Sequence, residues 1–215
     1  MGLYVLDADG TETRLTDGDA DPTGGSFSPD GSEVVYAAGP WERSAIYAVS
    51  SDGAAPRLIL RSTRRISFQG RSLLAFAYQP ALSPDGRRIA YFDGFGDHSH
   101  NLWVANADGT ERRVVLDEEV SRPGHMRALT WSPDGEWLAF ETDDGIYLVR
   151  PDGSGLRPVV EKGGVNPAYA GQWSPDGARI AYLRGGALSI VNVDGGDERI
   201  VEGIWARSIA WNPAV

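Results

Sequence analysis

Residues 131–140, Trp-Ser-Pro-Asp-Gly-Glu-Trp-Leu-Ala-Phe, decide the fold because their central string occurs four times in the chain. Each copy of Ser-Pro-Asp-Gly is followed, after two variable residues, by two apolar residues and an aromatic one. The copies begin at Ser28, Ser83, Ser132 and Ser174, and the triplets are Val34-Val35-Tyr36, Ile89-Ala90-Tyr91, Leu138-Ala139-Phe140 and Ile180-Ala181-Tyr182. The chain is therefore a tandem repeat, and a repeat of this period predicts a stacked architecture.

A second pattern is an apolar run that ends in Asp-Gly. It occurs five times, at Asp9, Asp52, Asp108, Asp152 and Asp194. Short runs of Val, Ile, Leu, Tyr and Trp between such turns are typical of β-strands joined by tight hairpins. Each repeat thus predicts four antiparallel strands, A to D, with Ser-Pro-Asp-Gly between A and B and Asp-Gly between C and D. Because radial stacking buries the apolar faces of such sheets, the predicted fold is an all-β β-propeller.

The number of blades depends on the two ends of the chain. Four repeats span about 26–60, 81–116, 130–160 and 172–203, within one domain of residues 1–215. Residues 1–16 supply a C and a D strand, and residues 207–215 supply an A strand, so the two ends together predict one composite blade without a B strand. A ring of five blades is the first interpretation. The alternative is a segment of a propeller with six to eight blades.

Composition narrows the function. The net charge of −10 argues against nucleic-acid binding, which depends on Lys and Arg against phosphate. No apolar run approaches the length of a membrane span, and the first residues show no signal-peptide pattern. The chain has no cysteine, which excludes disulfides and thiolate chemistry. We expect no cofactor and no membrane insertion.

The repeat resembles the TolB-type β-propeller repeat. The resemblance rests on Trp-Ser-Pro-Asp-Gly, the apolar-Ala-aromatic triplet and Ile-Tyr before Asp-Gly, most clearly in residues 130–160, and on Thr13-Arg14-Leu15-Thr16. It implies a bacterial, periplasmic or extracytoplasmic protein that binds a protein or peptide without catalysis. Similar repeats form the gating propellers of prolyl-oligopeptidase-like and tricorn-like proteases and occur in polysaccharide lyases. The alternative function is therefore the propeller of a carbohydrate- or peptide-processing enzyme.

Strand order predicts where binding takes place. The A–B and C–D turns are short and uniform, and both lie on one side of an antiparallel blade. The B–C and D–A connections vary in length and lie on the other side, here called the loop face. Variable loops on a rigid scaffold are where recognition usually occurs. We therefore expect the binding surface on the loop face.

Five residues before each A–B turn, strand A should reach the mouth of the central channel. The candidates there are Tyr78, Arg127, Tyr169 and Arg207, with Thr23 at the same position of the first repeat. Arg and Tyr together suit an anionic peptide terminus or a sugar acid. The competing interpretation, which we favour, is that these side chains pair with nearby carboxylates and water.

The longest connection, residues 61–80, combines Arg with aromatic and aliphatic residues, as interface hot spots do. It is equally compatible with an extra edge strand and a loop in which Leu73–Phe76 belong to the core. The predicted partner-binding residues of the loop face are Arg64, Arg65, Phe68, Phe76, Trp41, His125 and Trp205.

Chemistry beyond binding has little support in the sequence. His98 and His100 are weak metal candidates, because a closed set of ligands at metal-binding spacing is lacking. There is no Gly-x-Ser-x-Gly nucleophile motif, no phosphate loop and no His-Glu-x-x-His. No residue is predicted to be catalytic. An unmatched strand edge at the composite blade predicts a possible homodimer through residues 1–16 and 205–215.

Overall fold

The computed structural model describes residues 2–16, 22–40, 44–95, 98–117, 126–161, 169–205 and 211. Within them, seven residues are described by their backbone alone: Thr23, Phe68, His98, Ser99, Tyr169, Ala170 and Trp205. All regular secondary structure in this part of the chain is β-strand. The chain divides into two compact units, Met1–Glu119 and Val120–Val215.

The first unit contains two four-stranded antiparallel sheets and two hairpins. Sheet I has the order β3-β4-β5-β6 and sheet II the order β9-β10-β11-β12. The strands of sheet I are β3 (Thr23–Phe27), β4 (Glu33–Ala38), β5 (Ala45–Ser50) and β6 (Arg57–Arg61). Those of sheet II are β9 (Phe76–Leu82), β10 (Arg88–Phe95), β11 (His98–Asn106) and β12 (Arg113–Leu116). The hairpins are β1 (Tyr4–Leu6) with β2 (Glu12–Arg14), and β7 (Arg65–Phe68) with β8 (Arg71–Leu74).

The second unit contains two further sheets of the same kind. Sheet III is formed by β13 (Arg127–Trp131), β14 (Leu138–Thr142), β15 (Gly145–Val149) and β16 (Arg157–Glu161). Sheet IV is formed by β17 (Tyr169–Trp173), β18 (Arg179–Arg184), β19 (Ala187–Asn192) and β20 (Arg199–Trp205). The predicted order A-B-C-D is confirmed in all four sheets, because each strand pairs antiparallel with its neighbour in sequence.

The Ser-Pro-Asp-Gly turns owe their uniformity to one hydrogen-bond pattern, seen for example in Ser132–Trp137. Ser132 Oγ donates to Asp134 Oδ1 at 2.5 Å and accepts from the amide of Trp137 at 2.9 Å. Asp134 Oδ1 also accepts from the amide of Glu136 at 2.9 Å. The same bonds recur in the turns that begin at Ser28, Ser83 and Ser174. The side chains thus satisfy backbone groups that the hairpin leaves open.

Successive sheets of one unit pack through turns that touch. A Cβ at Gly86 would lie 3.3 Å from Cδ of Pro29, so the A–B turns of sheets I and II are neighbours. A Cβ at Gly109, in a C–D turn of sheet II, would lie 2.5 Å from the carbonyl oxygen of Ile59 in β6. In the second unit, Gly177 faces Pro133 and Gly195 faces the carbonyl of Val159 in the same way. The recurring glycines therefore serve the packing between sheets as well as the turns.

The cores lie between neighbouring sheets. In the first unit Ile46, Ala48 and Leu60 of sheet I pack with Ile89 and Tyr91 of sheet II. In the second unit Ile146 and Leu148 of sheet III pack with Ile180 and Tyr182 of sheet IV. Burial of apolar surface stabilises a protein by about 25 cal/mol per Å². A single sheet of this size cannot bury its own apolar faces, so the stacking of neighbouring sheets provides this stabilisation.

Two predicted connections differ from the structure. The 61–80 connection contains the two-stranded hairpin β7–β8. The structural alternative offered from the sequence was a single extra edge strand and a loop. The B–C connection of sheet II, predicted to be one of the variable loops, is short, because β10 continues to Phe95 and β11 begins at His98. The composite blade and the number of blades stay predictions. Of residues 207–215 the structure describes only Trp211, whose indole N–H donates to the carbonyl of Gln172 at 3.0 Å.

Candidate functional site

Every A strand carries a bulge at the position predicted to reach the channel mouth. The register with strand B shifts just after Thr23, Tyr78, Arg127 and Tyr169. In three of these strands the next residue has positive φ: Gly24 (61°), Gln79 (47°) and Ala128 (53°). Bulges re-aim side chains and recur near binding sites, and positive φ at a residue other than glycine is strained. The bulge therefore sets the direction of the side chain before it, at the cost of a strained backbone at Gln79 and Ala128.

Tyr78 lies in an aromatic cluster of sheet II. Its hydroxyl oxygen is 2.6 Å from Nδ1 of His100, which is buried on β11. The ring of Tyr78 lies 5.6 Å from that of Phe76 and 5.5 Å from that of Phe92. A Cβ at Gly94 would lie 2.3 Å from Nδ1 of His100, so only glycine lets the imidazole take this place. Tyr78 thus presents a half-buried phenol whose orientation the histidine fixes.

Arg64 forms an ion pair at the base of the hairpin β7–β8. Its Nε lies 2.9 Å from Oδ1 of the buried Asp93, and its Nη2 donates to the carbonyl of Asp93 at 3.1 Å. Ser62 Oγ donates to the other carboxylate oxygen at 2.7 Å. A buried carboxylate needs such partners, so Arg64 has a structural role.

Arg127 is held in a similar way in sheet III. Its Nε lies 3.5 Å from Oε2 of the buried Glu141, and its Nη1 lies 3.1 Å from Oδ1 of Asp143. Glu141 also accepts from the amide of Gly171 at 3.1 Å, which ties sheet IV to sheet III. Arg127 Nη2 is buried and has no hydrogen-bond partner among the described residues. The ion pairs match the interpretation that we favoured from sequence, and the remaining donor is suited to an anionic group.

The hairpin β7–β8 presents the remaining basic side chains of the 61–80 connection. Its two-residue turn, Gln69-Gly70, has positive φ at both positions (48° and 74°), as a type I′ turn requires. Arg65 and Arg71 are exposed, and Leu74 is 43% exposed. Ile66, by contrast, is buried. Arg65 and Leu74 are opposite each other in the register and share one face of the hairpin. Arg71 belongs to the other face, which also carries Ile66, so the two exposed guanidinium groups lie on different faces.

Of the other predicted binding and metal residues, one is buried and the rest have no described side chain. Phe76 is 8% exposed, so its side chain packs inside the aromatic cluster and offers little surface to a partner. Tyr169, Phe68, His98 and Trp205 are described by backbone only, in β17, β7, β11 and β20. Trp41, His125 and Arg207 lie outside the described residues. A role in binding stays a prediction for each of these residues.

The described residues give no support for a metal site or a membrane-spanning helix. No group of three or more His, Asp or Glu side chains in this part of the chain is placed to hold a metal ion. No helix found there is long and apolar enough to cross a bilayer.

Sequence reasoning missed the carboxylates that orient the arginines. Asp93 and Glu141 each follow an apolar run of a B strand, Ile89–Phe92 and Leu138–Phe140. An acidic residue inside a buried strand is rare without a partner, so this pattern was the available signal. It would have predicted buried acceptors for Arg64 and Arg127.

The aspartates of the turns have depressed pKa values. Hydrogen bonds from the Ser28 hydroxyl, and then from Ser32, lower the pKa of Asp30 to about 2. The Ser83 hydroxyl likewise lowers the pKa of Asp85, and the Ser174 hydroxyl that of Asp176. These shifts have a structural cause, since each carboxylate accepts bonds that close its own turn.

Comparison with known proteins places this architecture in a family. The model of the lipoprotein LpqB beta-propeller domain matches residues 68–199, which is more than half of the chain. The chain belongs to the LpqB β-propeller domain family. Its repeat is of the TolB type, as the sequence resemblance predicted. The TolB homologue of Chlorobium luteolum is 34% identical over 146 residues, covering 66% of this chain and 29% of that protein.

Solved structures agree on the fold. A protein assigned as TolB from Agrobacterium tumefaciens superposes with a TM-score of 0.71 at 22% identity, covering 93% of this chain and 73% of that one. An oligogalacturonate lyase in complex with manganese superposes with a TM-score of 0.66 at 17% identity, covering 92% and 57%. At such identities the likeness shows the propeller fold alone. The chain spans less than a third of the length of the TolB homologue from Chlorobium luteolum.

Proposed function

We propose that this LpqB-family propeller is a non-enzymatic binding module that recognises a protein or peptide through its loop face. The observation that carries the proposal is the hairpin β7–β8, which exposes Arg65, Arg71 and Leu74. Its base is held by Arg64 on the buried Asp93. A rigid base below an exposed pair of guanidinium groups suits recognition, because little entropy is lost when the partner binds.

The partner that fits this hairpin is an acidic segment with an apolar residue. Arginine forks bind carboxylates in two-point contacts, and Leu74, opposite Arg65 in the register, adds apolar area beside that arginine. The chain as a whole is acidic, with a net charge of −10, so the basic hairpin is a local exception. Tyr78, in the same unit as the hairpin, is a further contact in this proposal, and Arg127 stays a separate candidate contact on sheet III.

A charge-reversal pair tests the proposal. Peptides that bind the wild-type protein are selected from a displayed random library, synthesised, and titrated by calorimetry. The variant Arg65→Glu/Arg71→Glu is expected to weaken binding of acidic peptides at least about tenfold, since each lost charged contact is worth about 1 kcal/mol or more. The matched control is Arg87→Glu/Arg113→Glu, which reverses two exposed arginines beside the turns of sheet II. Equal affinities for both double variants would refute the proposal.

The second candidate is an enzyme that acts on acidic carbohydrate. The observation in its favour is the hydrogen-bonded pair of Tyr78 and His100 beside strand A, on a fold shared with the manganese-bound oligogalacturonate lyase. Incubation with oligogalacturonate and Mn²⁺, followed by ultraviolet absorbance of unsaturated products, distinguishes the two functions. We expect no turnover. Turnover that requires the metal and disappears in Tyr78→Phe would establish the enzyme instead.

A further inference from the structure

The N-terminal hairpin β1–β2 has the position of the C and D strands of a blade. Tyr4 stands five residues before Asp9, as Tyr47 of β5 stands before Asp52. Val5 and Leu15 pack against Val34 and Tyr36 of sheet I. Strands β5 and β6 of sheet I pack on sheet II through Ile46 and Leu60 in the same manner. The hairpin is therefore half of a blade stacked on sheet I.

The outer edge of β1 carries backbone groups that do not face β2. Leu3 accepts from the amide of Leu15 at 2.8 Å, and Asp7 donates to the carbonyl of Thr11 at 2.9 Å, so the odd-numbered residues face β2. By the alternation of antiparallel pairing, the N–H and C=O groups of Tyr4 and Leu6 point the other way. In sheets I to IV this edge of the C strand is paired with a B strand. Among the described strands, β1 pairs with β2 alone.

A cleft lies between the C-terminal end of β1 and the turns of sheet I. It has a volume of about 550 Å³, and its walls include Leu6, Asp7, Phe27 and Asp52. Leu6 is 67% exposed and Phe27 is 54% exposed. The residue that corresponds to Phe27 in sheet II, Leu82, packs on a core that contains Val35 of strand B in sheet I. No strand among the described residues covers Phe27 in this way.

The register of the complete sheets specifies what would fit beside β1. The residue opposite the Tyr4 position is aromatic in all four sheets, as in Tyr36 opposite Tyr47. The residue opposite the Val5 position is alanine or valine, and the one opposite Leu6 is valine, isoleucine or leucine. Three of the aromatic pairs are stacked, with ring centroids 5.9, 6.4 and 5.9 Å apart. The cleft therefore suits an apolar–alanine–aromatic segment that runs antiparallel to β1.

The charge of Asp7 adds one further residue to the pattern expected of the bound segment. The position opposite Asp7 is held by Arg88 in sheet II and by Arg179 in sheet IV, each paired with an asparagine. Asp7 and Asp52 make the corresponding end of the cleft acidic. A basic residue one position before the apolar triplet would lie opposite Asp7.

We propose that β1 and Phe27 form a strand-acceptor site, which binds an extended basic–apolar–alanine–aromatic segment of a partner polypeptide. The segment completes the half-blade by β-augmentation, with main-chain bonds to Tyr4 and Leu6 for affinity and the side-chain pattern for specificity. The cleft lies beside the turns of sheet I, so the site is independent of the loop face.

A second copy of this chain is a poorer occupant. Two β1 strands paired antiparallel about Val5 would place Leu6 opposite Tyr4, and a pair centred on Tyr4 would place Gly2 opposite Leu6. Neither register gives both the aromatic pair and the apolar residue opposite Leu6 that the other sheets have. The homodimer predicted from the sequence is therefore an outcome that the experiment must separate from strand binding.

The test uses a synthetic peptide with the sequence of residues 177–184, Gly-Ala-Arg-Ile-Ala-Tyr-Leu-Arg, labelled for fluorescence anisotropy. The control peptide, Gly-Ala-Arg-Ile-Tyr-Ala-Leu-Arg, has the same composition and charge but exchanges alanine and tyrosine. We expect saturable binding of the first peptide and at least tenfold weaker binding of the second. Absence of binding, or equal binding of the two peptides, would overturn the proposal.

Two matched variants locate the site. Leu6→Asp is expected to weaken binding at least tenfold, and Phe27→Asp serves as a second variant on the opposite wall. The control is Leu58→Asp, which changes a leucine that is 48% exposed on the D strand of a complete sheet. Circular dichroism checks that each variant is folded. If Leu58→Asp weakens binding as much as Leu6→Asp, the site is elsewhere. A dimer in sedimentation that Leu6→Asp abolishes and the peptide fails to displace would identify self-pairing instead.

Discussion

Arg64 and Arg57 both bind a carboxylate, but in different surroundings. Arg64 contacts the buried Asp93, whereas Arg57 contacts Glu33 at 2.8 Å with side chains that are 52% and 37% exposed. An exposed pair contributes little to stability, while a buried carboxylate that loses its partner destabilises the fold. The same basic residue type thus has a structural role at one position and a minor one at the other.

This contrast predicts different costs for two alanine substitutions. Arg64→Ala should lower the free energy of unfolding by about 3 kcal/mol, because Asp93 stays buried with Ser62 as its remaining side-chain partner. Arg57→Ala should lower it by less than about 1 kcal/mol. Urea denaturation followed by fluorescence measures both. Similar losses for the two variants would contradict the structural role of Arg64. Charge-reversal at Arg64 is therefore unsuited to testing partner binding.

The C–D turns show how a repeated element serves packing between sheets. Gly10 and Gly109 each follow the Asp of an Asp-Gly turn, and their φ values of 88° and 85° are nearly equal. A Cβ at Gly10 would meet no atom within 4 Å, but one at Gly109 would lie 2.5 Å from the carbonyl oxygen of Ile59. The two positions therefore separate backbone strain from contact with the next sheet.

Gly109→Ala is expected to destabilise the protein more than Gly10→Ala. Each substitution lowers the free energy of unfolding by about 1–2 kcal/mol, because it places a Cβ at positive φ. Only Gly109→Ala must also move β6 away from the turn. We expect an additional loss of about 2 kcal/mol or more from this displacement, in the range typical of overpacking. Thermal denaturation of the two variants checks the difference. Equal melting temperatures would mean that the turn can move away from Ile59 without cost.

The hairpin β7–β8 can be removed without breaking the sheet that carries it. The amide of Ala75 donates to the carbonyl of Arg64 at 2.9 Å, so these residues already close the base of the hairpin. Replacing residues 65–74 by Asn-Gly should give a two-residue type I′ turn between them. We expect unchanged hydrogen-exchange protection in β9 and β10 and loss of binding to the selected acidic peptides. Loss of protection throughout sheet II would show that the hairpin is part of the core.

At the scale of the whole molecule, turn aspartates are the most widespread titratable feature. The pKa values of Asp9, Asp30, Asp52, Asp85, Asp108, Asp134, Asp152 and Asp176 are all lowered. A group whose pKa is lower in the folded state stabilises the fold above its unfolded pKa of about 3.9. That stabilisation is lost as the pH falls through the folded value.

The melting temperature should therefore decrease as the pH is lowered from about 5 to about 2. Asp30→Asn isolates one contribution, because asparagine retains an acceptor oxygen but does not titrate. Its melting temperature should be lower than that of the wild type at pH 7, and the difference should shrink toward pH 2, where Asp30 is half protonated at its pKa of about 2. Calorimetry across this range measures both. A difference that stays constant with pH would show that the Asp30 carboxylate does not stabilise the turn.

The sequence alone determined the repeated part of the protein. Ser-Pro-Asp-Gly, the apolar-Ala-aromatic triplet and Asp-Gly act within one hairpin, so local chemistry was enough to predict strands A to D. Their repetition predicted the propeller, and the resemblance of the repeat implied its TolB type. The side chains of Ser132 and Asp134 close their own turn, as such short-range patterns allow. The basic residues of the loop face were also visible as a cluster in residues 61–80.

Only the tertiary structure decided which of those residues stay available to a partner. Arg64 and Arg127 are bound by Asp93 and Glu141, which lie 29 and 14 residues away in the sequence, and Phe76 is covered by its own aromatic cluster. Phe27, in contrast, is exposed, whereas Trp131 at the same position of sheet III is buried. The physical reason is that burial and ion pairing depend on which strands lie next to each other. A motif fixes the shape of its own hairpin, whereas its neighbours are set by the stacking of separate sheets.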